Sequence, residues 1–130
     1  MGSGTTNAEA ERPVILLVED EALTIMDLGD VLEGGGYDTV QCASAERALS
    51  ILQARPDICG LVTDVELSGR ASGFDLANSV SQARPELPIL IVSGRAAPDP
   101  DRMPEGARFI ARPCAGEDIL EQLKGLMPHC

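Results

Sequence analysis

Apolar residues are gathered in this chain into short unbroken runs separated by stretches of helical spacing. Val14-Ile15-Leu16-Leu17-Val18 is the first such run, and it stops at Glu19-Asp20-Glu21. A run without polar interruption predicts a strand covered on both faces. From Ala22 the period changes: Ile25, Leu28 and Leu32 share one helical face, and Gly34-Gly35-Gly36 ends the helix. Tyr37 to Cys42 is a second short strand, and Ser44 is placed to cap a helix whose Ala45, Ala48, Leu49 and Leu52 recur at helical intervals until Pro56. Ile58 to Thr63 forms a third strand leading into Asp64, followed by a Gly/Ser-rich loop to Gly73 and a helix from Phe74 to Arg84. Ile89 to Val92 is the fourth strand, ending at Ser93-Gly94, and Ala107 to Ala111 is a shorter fifth. Ile119, Leu120, Leu123, Leu126 and Met127 mark the face of a last helix.

Five strands alternating with helices predict an α/β fold with a parallel sheet covered on both sides, because each parallel step needs a crossover. One crossover is irregular. Pro98, Pro100 and Pro104 fall between the fourth and fifth strands. Each removes a backbone donor and disfavours helix in the residue before it, which predicts a fourth helix that is short or irregular.

Composition narrows the function. A length of 130 residues suits one core, assigned here to residues 13–130, with residues 1–12 as a disordered tail or a cloning scar. Met1, Gly2 and Thr6 match a myristoylation pattern, but a polar tail explains them as well. A net charge of −11, from 21 acidic and 10 basic residues, repels nucleic acid over most of the surface. No apolar run is long enough to span a membrane, and the cytoplasm is the expected location. Cys42, Cys59, Cys114 and Cys130 form no CxxC pair and are joined by one histidine, His129, so reduced thiols are expected and not a metal site.

The chemistry lies at the strand ends. In an open parallel sheet, ligands bind beyond the carboxyl ends of the strands. Glu19-Asp20 ends the first strand, Asp64 the third, Ser93 the fourth and Arg112 the fifth. Acidic residues after a strand often serve only the dipole of the next helix; their joint occurrence at successive strand ends carries the functional reading. Neighbouring carboxylates repel and resist burial unless a cation neutralises them. Oxygen-only ligands suit magnesium, and an ion so held prepares Asp64 to attack a phosphoryl group. Ser93 and Arg112 are placed to contact the phosphoryl oxygens.

From about Pro13 to Met127 the sequence resembles a response-regulator receiver domain of two-component signalling. The resemblance rests on VILLVEDE, on LVTDVEL around Asp64, on Gly73, on ILIVSG with Ser93, and on RFIARP. It implies a doubly wound, flavodoxin-like sheet of order 2-1-3-4-5. It further implies that Asp64 is the phosphoacceptor and that Mg2+ is bound by Asp20, Asp64 and the backbone carbonyl of Glu66, with Glu19 acting through water. Ser93 would be the switch hydroxyl, Phe109 the aromatic switch, and Arg112-Pro113 a cis peptide at the Lys-Pro position. The phosphoryl donor would be a histidine kinase or histidine phosphotransfer protein, and the output a downstream protein partner.

Three departures stand out. Arg112 occupies a position where the family has lysine, and its planar, longer side chain is not a simple substitute; contact with the phosphoryl group is still expected. Glu66 and Arg95 would face each other across the mouth, as a plain exposed pair or as a hindrance to the attacking water. The proline-rich RAAPDPDRMPEG segment makes part of the usual output face a loop. The short remainder after the last helix suggests a stand-alone receiver or one cut from a hybrid kinase. The alternatives are a degenerate receiver that binds partners without phosphorylation, and an aspartate-dependent phosphatase with Glu66 as its second carboxylate.

Overall fold

A computed structural model describes residues 12–94, 99 and 101–127. The tail to residue 11, Arg95, Pro98, Pro100, His129 and Cys130 lie outside the described residues, and with them the myristoylation pattern and the Glu66–Arg95 pair. Five strands form one parallel sheet: β1 (Val14–Val18), β2 (Asp38–Cys42), β3 (Ile58–Thr63), β4 (Ile89–Ser93) and β5 (Arg108–Ala111), in the order β2-β1-β3-β4-β5. The helices are α1 (Ala22–Gly34), α2 (Ala45–Ala54), α3 (Gly73–Ala83) and α4 (Gly116–Leu126).

Period-two alternation in the central strands feeds two cores. Leu16, Val18, Leu61, Ile89 and Ile91 face α2 and α3, meeting Ala48, Leu52, Phe74, Leu76 and Val80. Ile15, Leu17, Val62, Leu90 and Val92 face α1 and α4, meeting Leu28, Leu32, Ile119 and Leu123. Each fully buried aliphatic side chain contributes roughly 1.5–3 kcal/mol by leaving water, so β1, β3 and β4 are the best-anchored strands. Edge strand β5 is exposed at both ends, and β2 is exposed at Asp38 and Gln41.

Local signals fix the helix starts. The Ser44 hydroxyl accepts from Arg47 N–H at 3.2 Å, as its position predicts. Ser72 and Asp75 cap α3 reciprocally: the Ser72 hydroxyl accepts from Asp75 N–H, and the Asp75 carboxylate accepts from Ser72 N–H. Arg12, the last residue of the expected tail, is anchored: its guanidinium donates to the carbonyls of Glu33 and Tyr37 and pairs with Asp38 at 3.3 Å. It thereby closes the end of α1.

Between β4 and β5 the described residues contain turns and no helix. The segment is instead held onto α3. The Arg102 guanidinium lies 4.9 Å from the Phe74 ring centre and reaches Ser72 and Asp75, and the Asn78 amide donates to the Arg102 carbonyl. The expectation of reduced thiols is corrected at one position. Cys42 and Cys114 are free, but Cys59 is disulfide-bonded, because spacing along the chain does not reveal which cysteines the fold brings together.

Candidate phosphoacceptor site

The carboxyl ends of β1, β3, β4 and β5 open into a cleft of about 480 Å³ lined by Glu19, Asp20, Glu21, Thr24, Asp64, Glu66, Leu67, Ser93, Gly94 and Arg112. Parallel pairing is what aligns these ends. Val18 is level with Thr63 across β1 and β3, and Ser93 with Ala111 across β4 and β5. The residue following each strand therefore arrives at a common rim. Of the sequence-predicted residues that are described, Glu19, Asp20, Asp64, Glu66, Ser93 and Arg112 line this cleft and Phe109 does not.

Asp64 is tied down through its backbone. Its N–H donates to the Val18 carbonyl at 3.1 Å, its carbonyl accepts from the Thr63 hydroxyl at 2.8 Å, and its side-chain Oδ1 accepts from Val65 N–H at 2.7 Å. Gly73 packs against the same carbonyl: a Cβ there would stand 1.9 Å from the Asp64 oxygen. Only glycine lets α3 start this close to the acceptor loop. On the other side, Ser68 and Ser44 form a backbone bridge, and the Ser68 hydroxyl donates to Asp20 Oδ2 at 3.3 Å.

Glu19 is 3% exposed and accepts from Glu21 N–H at 3.1 Å. Burial, with the neighbouring Asp64 and Asp20 charges, pushes its carboxyl up to about 7. Among the described residues, five carboxylates, from Glu19, Asp20, Glu21, Asp64 and Glu66, line the cleft together with the guanidinium-bearing Arg112. Three neighbouring carboxylates, one of them buried, repel one another unless a cation neutralises them, and oxygen-only donors suit a hard one. Among the described residues no group of three donors forms a ready-made cage. Magnesium needs only one or two carboxylates and keeps several waters, so the donor set fits it.

Ser93 is buried at the end of β4. Arg112 is held at the backbone by donation from its N–H to the Ser93 carbonyl at 2.8 Å, and the Arg112–Pro113 peptide is cis. Its side chain lines the cleft while one guanidinium nitrogen lies 4.0 Å from Asp27 on α1. Phe109 sits outside the cleft, stacked on Phe74 with ring centres 6.4 Å apart. Sequence reasoning missed Thr24, Ser68 and Asp27. Thr24 follows Asp20 by one helical turn, which is a usable signal. Ser68 and Asp27 arrive through packing between elements and leave none.

The order of the sheet and the position of the acidic cleft define an open, doubly wound α/β domain with its site at the carboxyl edge. The chain belongs to the response regulator receiver domain family, whose sequence model matches residues 15–124. It is 32% identical over 110 residues to response regulator protein FleR of Pseudomonas aeruginosa, covering 82% of this chain and 23% of FleR. With response regulator receiver protein CpdR of Brucella abortus it shares 28% identity, covering 87% of this chain and 95% of CpdR. The chain spans 62% of the transcriptional regulatory protein PdtaR of Mycobacterium tuberculosis. A response regulator receiver protein from Sinorhizobium medicae superimposes with a TM-score of 0.86 at 24% identity, over 92% of this chain and 98% of that one. One from Pseudomonas putida does so at 0.73 and 27% identity, over 88% and 97%. Receiver domains are signalling modules of two-component systems and generally bind Mg2+ at their phosphorylation site. No helix among the described residues is long and apolar enough to cross a membrane.

Proposed function

We propose that this chain accepts a phosphoryl group on Asp64, from a histidine kinase or a histidine phosphotransfer protein, and signals by a change in protein binding. The observation that carries the reading is the convergence of Glu19, Asp20, Asp64, Ser93 and Arg112 on one cleft from four strand ends. An Asp64 carboxylate oxygen attacks phosphorus, the phosphorus–nitrogen bond of the phosphohistidine breaks, and the imidazole leaves with the bonding electrons. Donation from Val65 N–H fixes the plane of the carboxylate for that approach. Asp20, Asp64 and the Glu66 carbonyl would hold magnesium, with Glu19 acting through water. When bound, the ion supplies charge balance for the transferring oxygens. The Ser93 hydroxyl donates to a phosphoryl oxygen, and the Arg112 guanidinium opposes its charge.

On this reading the domain is a phosphoacceptor in the cytoplasm and not a turnover enzyme, and residues 13–130 act as one unit. Its downstream partner is a protein. The Arg112–Asp27 contact favours one second reading, a degenerate receiver that binds partners without phosphorylation, since the cation is partly engaged elsewhere. Incubation with magnesium and acetyl phosphate, followed by intact mass measurement, separates the two. A gain of one phosphoryl group in the wild type and none in Asp64→Asn supports phosphoacceptance, whereas no gain in either supports the degenerate form.

A further inference from the structure

Arg112 stands at the fifth-strand rim, and its side chain has two directions open to it. Its stem begins beside Gly94, where Arg112 Cβ lies 4.0 Å from the position a Gly94 Cβ would take. The residue lines the acidic cleft, yet its terminal nitrogen stands 4.0 Å from Asp27 Oδ2, on the α1 surface. Arg112 is 28% exposed and Asp27 is 70% exposed, so the pair bridges from the cleft wall outward to solvent. A guanidinium at the end of a long stem can span from β5 to α1 while its methylenes stay on the wall.

Resting on the phosphoacceptor reading above, we propose that Asp27 is a positioning residue for that site: it holds the Arg112 guanidinium at the rim until a phosphoryl group on Asp64 draws the cation inward. Before transfer, the cleft carboxylates and Asp27 compete for one cation. A cation resting among the cleft carboxylates would oppose the binding of magnesium by like charge. Held at Asp27, it leaves the carboxylates to the metal. After transfer, a phosphoryl group adds negative charge at Asp64, and the balance moves toward the cleft. Arg112 then leaves α1, so phosphorylation is reported on the α1 surface as well as along β5. Asp27 touches no reacting atom; it acts through Arg112.

An exposed ion pair is worth about 0.2–1 kcal/mol, which allows a change of up to about five-fold in the equilibrium it opposes. The test titrates the whole chain, at magnesium concentrations that saturate every variant, with beryllofluoride, a stable phosphoryl mimic, in the wild type, Asp27→Asn, Arg112→Ala and the double variant. Asp30→Asn is the control, since Asp30 is an exposed carboxylate on the same helix. Release of Arg112 predicts affinity about three-fold tighter in Asp27→Asn, no change between Arg112→Ala and the double variant, and no change in Asp30→Asn. Asp27→Glu should restore wild-type affinity. Equal tightening in the Arg112→Ala background or in Asp30→Asn would mean a general loss of negative charge and would overturn the proposal. One affinity for all proteins would overturn it alone, with phosphoacceptance intact. Binding by none would overturn the underlying reading and this proposal with it.

Discussion

The three central strands and the edge strand β5 both deliver residues to the cleft, but they hold them in different ways. In β1, β3 and β4 nearly every residue is buried, and both faces of each strand pack against helices. These strands carry Glu19, Asp20, Asp64 and Ser93, the groups that would bind the metal and the phosphoryl group. β5 is four residues long, exposed at both ends and paired only with β4, and it carries Phe109 and Arg112. On the proposed reading, the acceptor chemistry is therefore set on the most deeply buried part of the sheet. The residues that would respond to it sit where small forces can move them. The ties at this edge are few: Arg112 reaches Asp27 at the surface, and Phe109 stacks on the core ring of Phe74, which Arg102 covers from outside.

Stability gives the largest contrast. Leu61→Ala, in the centre of β3, should cost about 3–4 kcal/mol in urea unfolding, as a fully buried leucine does. Ile110→Ala, on half-buried β5, should cost about 1 kcal/mol. Equal costs would break the distinction between centre and edge.

A smaller effect is expected from pH, and Glu19 at the end of β1 supplies it near neutrality. Glu19 is raised to about 7 in the folded state from an ordinary value of 4.5. Between these values the native protein holds a proton that the unfolded chain has lost. This contribution to stability is full below 4.5 and is lost as pH rises through about 7. The metal-free protein should accordingly melt at lower temperature as pH is raised from about 5 to 8, and Glu19→Gln should flatten that slope. An identical slope in Glu19→Gln would remove Glu19 as its source.

The smallest effect belongs to the edge contacts. Arg102→Ala removes a cation–π contact and a distant ion pair, and should cost only about 0.5–1 kcal/mol. The loss should be concentrated in faster amide exchange across residues 101–109. A cost near that of Leu61→Ala would show that the β4–β5 segment is part of the core.

The same contrast decides what the amino-acid sequence revealed. The central strands were legible because a strand buried on both faces must be an apolar run, and the polar residue that ends such a run stands out. Val14–Val18 before Glu19 and Ile58–Thr63 before Asp64 are of this kind. The edge strands read less sharply: β2 begins at Asp38 and β5 at Arg108, one residue later in each case than the apolar pattern suggests. Prolines marked a β4–β5 crossover whose described residues hold no helix, yet nothing in the spacing announced that Arg102 would dock on Phe74. Asp27 and Ser68 were hidden for the same reason. Each meets its partner across two elements, and such meetings depend on helix placement and not on any local period. Spacing also left the disulfide state of Cys59 unannounced.

The central claim is that Asp64 carries the phosphoryl group. An acyl phosphate is reduced by borohydride to an alcohol, which converts the modified aspartate to homoserine and leaves free carboxylates unchanged. After treatment with magnesium and acetyl phosphate, reduction and peptide sequencing by mass spectrometry should place homoserine at position 64. Homoserine at Asp20 or another aspartate, the corresponding alcohol at a glutamate, or reduction at no position would contradict the account.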